Sequence, residues 1–252
     1  MMRLLHANNA SVWTGPTGNN TYLLDGRIPA LVDAGVGDPS HLDALGAALG
    51  GRSLDRVLIT HGHPDHVGGL PAIAARWPLV RIFRFSDLGS GVVEAGDSDL
   101  RIVHTPGHSP DHLCFFDDRS GDLYCGDLVR AGGSIVIPAS KGGNLRHYLD
   151  SLARVRGLSP RRLLPGHGPI IADPGALIDE YVKHRAEREQ EVIAALGAGL
   201  MTPEQITVRV YGPLPAVLAA AAADTVLAHL VKLHDDQRAF VSDDGWRPFP
   251  LS

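Results

Sequence analysis

The first half of the chain alternates short apolar runs with polar turns, the pattern of strands joined by loops. NTYLLD at 20–25 and IPALVDAG at 28–35 are separated by Asp25-Gly26, a turn signal that predicts a hairpin. LDRVLIT at 54–60 is typical of a buried strand, because it ends in a continuous apolar run. The same criteria predict further short strands near 80–85, 100–105, 112–117, 122–126 and 161–165.

Helical spacing is interspersed among these strands. Residues 39–49 place Leu42, Leu45 and Leu49 on one face, and Gly50-Gly51 then ends the predicted helix. Two more helices are predicted over 68–76 and 144–157. Strands and helices do not alternate in regular βαβ units, so the pattern indicates an α+β fold rather than a doubly wound sheet.

The pattern becomes mostly helical after about residue 173. A long helix follows Pro174-Gly175, a short one follows Thr202 as N-cap, and a third is predicted over 215–234. The last segment is a predicted hairpin with Asp244-Gly245 at its turn. Three helices and a hairpin suggest a small winged-helix-like domain. We therefore predict two domains, 1–173 and 174–252.

Composition narrows the class of partner. A chain of 252 residues with 44% hydrophobic content can bury a large core, and its net charge of −5 disfavours general attraction to nucleic acid. Residues 216–252 hold three basic side chains against five acidic ones. Because a DNA-reading surface is usually basic, we expect no binding of duplex DNA. We interpret the C-terminal domain as a lid, a wall of the active-site cleft or a dimerisation element that forms a homodimer.

The ends and the cysteines of the chain predict its environment. MMRLLHANNASVW contains no apolar run long enough for a signal peptide, and no segment is expected to approach the ~18 apolar residues of a membrane span. We therefore expect a cytoplasmic protein with no membrane partner. Cys114 and Cys125 lie in neighbouring predicted strands, where buried packing is expected rather than a disulfide scaffold.

The strongest chemical signal is THGHPDH at 60–66, directly after a predicted buried strand. His61 and His63 are two residues apart, so in an extended loop they point the same way and can share one ion. The chain must turn at Pro64, which lets Asp65 and His66 serve a second ion. Imidazole nitrogen and carboxylate oxygen together suit zinc, and ligand type also permits manganese or iron(II).

Three other segments offer ligands of the same kind. They are His108 in HTPGHSPDH, Asp127 in YCGDLV and His167 in LLPGHGPII, each beside glycine at a predicted strand end. Loops on a rigid scaffold are where sites usually lie. Any one of these residues alone would be interpreted as a surface side chain in a protein with thirteen histidines. Together with residues 60–66 they predict a site for two divalent metal ions.

These motifs resemble the five-motif signature of the metallo-β-lactamase superfamily. The resemblance implies a four-layer αββα sandwich followed by a mostly helical winged-helix-like domain. It also implies a ligand scheme in which three residues hold each ion and Asp127 bridges them. The first ion is assigned to His61, His63 and His108, and the second to Asp65, His66 and His167.

Further segments resemble one subgroup, which contains the mitochondrial β-lactamase-like endoribonuclease and its bacterial relatives. GHSPDH, PGHGPII and YVKHRAEREQ carry this resemblance, and those proteins also have a C-terminal winged-helix-like domain. Cys125 lies two residues before Asp127, whereas in true zinc β-lactamases a cysteine replaces the bridging aspartate. True β-lactamase activity is therefore disfavoured.

The predicted mechanism follows from two ions that share a water. Such ions lower the pKa of the water to about 7 and generate a bridging hydroxide at neutral pH. Asp65 and Asp127 are the predicted catalytic residues, since Asp65 can also orient the hydroxide or accept a proton. The expected substrate is an ester, thioester or lactone of a small metabolite.

Two alternative activities stay open: a phosphodiesterase or endoribonuclease that cleaves single-stranded RNA, and a glyoxalase II-like thioesterase. The interval between Asp127 and His167 leaves no room for an inserted nucleic-acid clamp. The basic cluster Arg154, Arg156, Arg161 and Arg162 is either a solvated helix end or an RNA track. A non-catalytic protein with a degenerate site is disfavoured because all seven ligand positions are filled.

Four more residues are candidates for supporting roles. His112 and Lys141 are predicted substrate contacts: His112 matches the subgroup, and Lys141 lies in the glycine-rich segment between Asp127 and His167. Asn20 and Thr21 resemble the family's first motif, in which such side chains brace the metal loop. Each also has a plainer interpretation, in packing, in a turn or in solvent.

Overall fold

The first of two five-stranded sheets is built from the N-terminal third of the chain. The computed structural model describes residues 2–199 and 202–249. The sheet has the strand order β1-β2-β3-β4-β5, with antiparallel pairing up to β3 and parallel pairing from β3 to β5. Its strands are β1 Met2–His6, β2 Asn20–Leu24, β3 Ala30–Val32, β4 Arg56–Leu58 and β5 Arg81–Phe83.

The second sheet has the order β10-β9-β8-β7-β6 and is antiparallel except between its last two strands in sequence. Its strands are β6 Gly91–Ala95, β7 Ser98–His104, β8 Leu113–Asp117, β9 Asp122–Gly126 and β10 Arg162–Pro165. Each sheet therefore contains parallel strands whose carboxyl ends meet at one edge.

Eight α-helices accompany the strands within the described residues. They are α1 Pro39–Leu49, α2 Pro64–Val67, α3 Leu70–Arg76, α4 Phe85–Leu88, α5 Leu145–Leu158, α6 Pro174–Gly197, α7 Pro203–Tyr211 and α8 Ala216–Asp235. Helix α1 illustrates how local sequence sets the bounds. The Asp38 side chain accepts a hydrogen bond from the His41 amide at 3.1 Å, and Gly50 ends the helix in a left-handed conformation.

The main core lies between the two sheets. Tyr22 and Leu24 of β2 point into it and join Phe115 of β8 and Leu164 of β10. Leu23 points the opposite way, into a second apolar layer formed with α1 and α3. Because successive side chains of a strand alternate between faces, β2 is apolar on both. The predicted α+β sandwich of two sheets with flanking helices is confirmed.

Internal contacts divide the chain into two compact units. The first comprises the chain up to Thr105 together with Asp111–Ser134 and Arg154–Gly175, and it contains both sheets. The second comprises Pro106–Pro110, Ile135–Ala153 and the chain from Ala176 onward. The second unit therefore includes two segments from the middle of the sequence. The predicted domain boundary between residues 173 and 174 stays a prediction.

The second unit contains the winged-helix elements. A hairpin of β11 Ala239–Ser242 and β12 Gly245–Pro248 follows α8, and its turn is Asp243-Asp244, one residue earlier than expected. Helices α6, α7 and α8 share an apolar core with this hairpin. Its fully buried members are Val192, Ala195, Leu196, Ile206, Val226, Leu230, Leu233 and Ala239.

Helix α8 corrects one expectation from the sequence. Among the described residues it is one helix that is long and apolar enough, by length and composition alone, to cross a membrane. The expectation that no segment approaches this length was wrong, because the alanine run joins the flanking leucines and valines with few charges between them. In the structure α8 buries Val226, Leu230 and Leu233 in the core of the second unit.

His229 of α8 predicts a pH-dependent stability. Its imidazole is fully buried without a hydrogen-bond partner among the described residues, and burial, helped by the charge of Arg185, lowers its pKa to about 3. The unfolded chain protonates this histidine near pH 6.5, so the free energy of unfolding falls as the pH drops from there towards 3. At pH 5 the expected loss is about 2 kcal/mol relative to pH 7.5.

Urea unfolding at both pH values measures this loss. His229→Leu should lose about 2 kcal/mol less than wild type between pH 7.5 and pH 5, because leucine does not titrate. His234→Leu is the matched control on the same helix, since the His234 side chain is 54% exposed. Equal pH dependence in the two variants would contradict a contribution from His229.

Candidate metal centre

Parallel strands β3 and β4 end side by side and hold the first part of the site. Asp33 follows β3, and Thr60 lies two residues after β4. The Thr60 amide donates to Asp33 Oδ1 at 2.8 Å, and its hydroxyl lies 2.9 Å from Oδ2. This contact fixes the start of the loop that carries the ligand motif.

The motif then turns as predicted. His63 precedes the short helix α2, which begins at Pro64, and the turn places Asp65 and His66 in its first residues. The His66 amide donates to the His63 carbonyl at 2.9 Å. His61 and His63 therefore precede α2, and Asp65 and His66 lie within its first turn.

Parallel strands β9 and β10 supply the second part of the site. Asp127 follows β9 and His167 follows β10 by one further residue, so their side chains meet at one sheet edge. His167 Nε2 lies 3.2 Å from Asp127 Oδ1 and 3.4 Å from Asp65 Oδ2. His66 Nε2 completes the group, at 3.4 Å from Asp127 Oδ1 and 3.6 Å from Asp65 Oδ2.

Within the first unit these side chains form two overlapping groups of three ligands. One is His61, His66 and Asp127, and the other is Asp65, His66 and His167. The ligand atoms of each group lie within 4.8 Å of one another. His61 Nε2 also lies 3.0 Å from His63 Nδ1, a separation that requires a proton or a cation between the two nitrogens. The structure thus brings together six of the seven predicted ligands in this unit.

Glycine makes this crowding sterically feasible. A Cβ atom on Gly166 would lie 2.7 Å from His66 Cε1 and 2.8 Å from Asp127 Oδ1. Real Cβ atoms essentially never approach other atoms so closely. The glycine before His167 therefore lets the loop after β10 pass directly over two other ligands.

The tautomer of His66 is set by its neighbour. Its Nδ1 donates to Asp33 Oδ2 at 2.7 Å, and both side chains are buried. A neutral imidazole that donates through Nδ1 presents the lone pair of Nε2 to the cluster. A carboxylate behind a ligating histidine is the usual arrangement at metal sites, where it orients the ring and raises its basicity.

The electrostatics of the cluster favour a positive charge at its centre. Burial raises the pKa of Asp127, but the charges of His66 and His167 hold it well below its usual range. Burial likewise opposes ionisation of Asp65, but a hydrogen bond with His167 and the charge of His66 keep its pKa low. Burial lowers the pKa of His167, yet Asp127 raises it to about 9. Without a metal, protons therefore supply the positive charge that the two carboxylates require.

This donor set fits divalent metal ions. Imidazole nitrogens and carboxylate oxygens converge, and among the described residues neither ligand group of the first unit contains a sulfur atom. Cys114 and Cys125 are buried free thiols. Burial raises the pKa of the Cys114 thiol to about 12, so it stays protonated. Nitrogen and oxygen ligands of this kind suit zinc, manganese and iron(II) alike.

Two predicted site residues belong to the second unit. His108 Nδ1 donates to the Val136 carbonyl at 2.7 Å, which is compatible with ligation through Nε2. Lys141 ends a short 3₁₀ turn, Ala139–Lys141, and its side chain is exposed. The assignment of His108 to the first ion and the contact of Lys141 with substrate stay predictions.

His112 occupies a different place from the one expected. It is fully buried, and its Nε2 accepts a hydrogen bond from the Asp127 amide at 3.1 Å. Its Nδ1 lies 2.8 Å from Thr105 Oγ1. Both ring nitrogens thus face protein groups, so His112 supports a ligand loop, whereas the predicted substrate contact would need an accessible ring.

Sequence reasoning missed two supporting residues. Asp33 lies directly after β3 and two residues before Gly35, within the segment predicted as the second strand of the hairpin, so nothing in the local pattern marks it as a supporting residue. Asn19 Nδ2 donates to Asp65 Oδ2 at 3.0 Å, which is the bracing contact expected of its neighbours. Asn20 braces the loop of His167 instead, by donating to the Pro165 and Gly168 carbonyls.

Thr21 does not support the metal loop. Its hydroxyl lies 2.8 Å from His41 Nε2, so it ties β2 to helix α1. The strand alternation explains the difference, because Asn20 and Thr21 point to opposite faces of the sheet.

Two protein-family profiles match this chain, one in the sandwich and one in the C-terminal part. The metallo-β-lactamase superfamily profile matches residues 14–82 and 85–167, and the profile of the β-lactamase-associated winged helix domain matches residues 202–246. The lactamase-like protein aptB of Emericella nidulans is 34% identical over 243 residues, which cover 88% of this chain and 77% of that protein.

An animal relative and a solved structure agree with these matches. The β-lactamase-like protein 2 homolog of Drosophila melanogaster is 31% identical and covers 99% of this chain and 92% of its own length. A β-lactamase domain protein from Burkholderia ambifaria superposes with a TM-score of 0.80 over 98% of this chain and 91% of that one, at 23% identity, which supports the fold. The chain therefore belongs to the metallo-β-lactamase superfamily of metal-dependent hydrolases and carries the winged helix domain associated with it.

Proposed function

We propose that this protein is a hydrolase with two metal ions, most suitably zinc, that cleaves an ester, thioester or lactone of a small metabolite. One ion would be held by His61, His63 and His108, and the other by Asp65, His66 and His167, with Asp127 between them. The observation that carries this proposal is the convergence of two ligand groups on His66 and Asp127 in the first unit.

When bound, the two ions would act as Lewis acids and make a water molecule acidic enough to attack at neutral pH. The protein side chains hold and orient this chemistry. Asn19 fixes one oxygen of Asp65, whose side chain is 30% exposed and so can receive a proton from the attacking water. Asp33 keeps the Nε2 lone pair of His66 directed at the cluster.

The charge distribution supports a small substrate over RNA. Two residues of the basic cluster, which is interpreted as either a solvated helix end or an RNA track, are engaged within the protein: Arg162 binds Asp122 through two hydrogen bonds of 2.8 and 2.5 Å, and Arg154 donates to the His104 carbonyl. A polyanion would have to compete with these contacts. Cleavage of single-stranded RNA is thus the alternative activity, and the experiment must distinguish it from hydrolysis of a small metabolite.

Metal-reconstituted protein tests the proposal. We expect elemental analysis to give two ions per chain, and we expect hydrolysis within a panel of p-nitrophenyl esters, acyl thioesters and lactones. The same panel includes bis-p-nitrophenyl phosphate and single-stranded RNA, and chelation should abolish every activity. A metal content that stays near zero would refute the metal mechanism. Faster turnover of RNA than of any ester, thioester or lactone would refute the substrate class.

A further inference from the structure

His112 connects two elements at the back of the metal cluster. It precedes β8, it is fully buried, and its imidazole lies between Thr105 and the backbone of Asp127. A side chain with no accessible surface cannot meet a substrate directly. Its contacts must therefore explain its presence among the site motifs.

The direction of the two hydrogen bonds follows from one fixed donor. The Asp127 backbone N–H can only donate, so His112 Nε2 accepts and carries no proton. The proton of the neutral ring is then on Nδ1, which donates to Thr105 Oγ1 at 2.8 Å. The Thr105 hydroxyl can in turn donate to Cys114 Sγ, 3.3 Å away. The fold thus specifies one tautomer of His112.

The contact lies at the turn that delivers Asp127. Gly126 has a φ of +46°, and a Cβ atom there would lie 2.9 Å from His112 Nε2 and 2.8 Å from Thr60 Oγ1. The turn after β9 is therefore packed tightly between the His112 ring and the ligand loop. Without His112, the buried amide of Asp127 would lose this acceptor.

We infer that His112 is a positioning residue for the metal-bridging Asp127. By accepting from the Asp127 amide it fixes the backbone from which the carboxylate reaches His66 and His167. This inference rests on the proposed function, because it assigns to Asp127 a place between two ions. It replaces the substrate contact expected for His112 from the sequence.

Two conservative variants separate the two hydrogen bonds. In His112→Gln the amide oxygen can reach the position of Nε2 and accept from Asp127, whereas the shorter side chain of His112→Asn reaches only the position of Nδ1 and keeps the bond to Thr105. His41→Asn is the matched control, because His41 is also fully buried and hydrogen-bonded to a threonine at 2.8 Å, away from the ligands.

The readouts are the affinity for each ion, measured by competition with a chromogenic chelator, the visible spectrum of the Co²⁺-substituted protein, and thermal unfolding. We expect His112→Asn to weaken the more loosely held ion by about 10- to 100-fold and to change the Co²⁺ spectrum. His112→Gln should stay within about threefold of wild type, and His41→Asn should lower the melting temperature without changing either metal readout.

Two kinds of result would contradict the positioning role of His112. Wild-type affinity and spectrum in His112→Asn, or equal weakening in His112→Gln and His112→Asn, would overturn the positioning role. Equal weakening in His41→Asn would reduce the effect to general destabilisation and would overturn it too. If the wild-type protein itself binds no metal, the proposed function fails first, and the inference fails with it.

Discussion

Asp127→Ala is expected to reduce turnover of the best panel substrate by more than about a hundredfold, because supporting residues around a metal are already worth about 10- to 100-fold. The Asp127 carboxylate lies between His66 and His167, at 3.4 and 3.2 Å from their Nε2 atoms. Its removal takes away a ligand and one of the two negative charges that offset the ions. We also expect weaker retention of the second ion.

Asp99→Ala is the control for this variant. Asp99 is an exposed carboxylate on β7, in the same sheet, and it takes no part in the cluster. Steady-state kinetics and metal content of the two variants are compared after identical reconstitution. Similar activity in Asp127→Ala and Asp99→Ala would show that Asp127 is not part of the metal site.

Gly166→Ala is expected to weaken metal binding by about 10- to 100-fold although it adds only one methyl group. Among the described residues Gly166 is not one of those with a left-handed φ, so alanine fits the backbone and the effect is steric. The new Cβ would meet His66 Cε1 at 2.7 Å and Asp127 Oδ1 at 2.8 Å. Because His66 is held by Asp33 and Asp127 by its amide, neither ligand can move aside freely.

Gly157→Ala provides the matched control. Gly157 lies within helix α5, and a Cβ atom there would have nothing within 4 Å. This substitution should leave metal content and kinetics unchanged and raise stability by up to about 1 kcal/mol, the helix propensity difference. Chelator competition and thermal unfolding measure both variants. An unchanged metal affinity in Gly166→Ala would show that the loop after β10 relaxes without disturbing the ligands.

The ligand motif was predictable because its information is local. His61, His63, Asp65 and His66 occur within six residues, and Pro64 alone indicates where the chain turns. The strand ends that supply Asp127 and His167 were also recognisable, from an apolar run followed by glycine and a polar residue. The local sequence does not show that β9 pairs with β10 in parallel, and it is this pairing that brings Asp127 and His167 together.

The supporting residues depend on that placement. Asp33 acquires its role only because β3 lies beside β4, so that its carboxylate meets Thr60 and His66. His112 was selected by its spacing from His108, yet its function depends on the backbone of Asp127, 15 residues away. Roles of this kind follow from tertiary contacts rather than from the residue's own neighbourhood in the sequence.

Two of the four edge strands, β1 and β6, are not predicted from the sequence, whereas the edge strands β5 and β10 are. β1 has no regular alternation of buried and exposed residues, and it is a strand because five of its residues pair with β2. β6 follows the same logic, since it pairs with β7 across a tight turn at Gly96-Asp97. Each of these two strands is stabilised by pairing with a single neighbour, so much of its stability comes from that neighbour and its own sequence carries less signal.

The two buried cysteines allow opening of the second sheet to be measured without introducing a probe. Cys114 and Cys125 are fully buried, in strands β8 and β9, which pair with each other inside the second sheet. A thiol reagent in solution reaches such side chains only when the sheet separates, because the reactive thiolate needs both exposure and ionisation. The rate of labelling therefore records excursions of the sheet to open states, independently of the winged helix domain, whose described residues contain no cysteine.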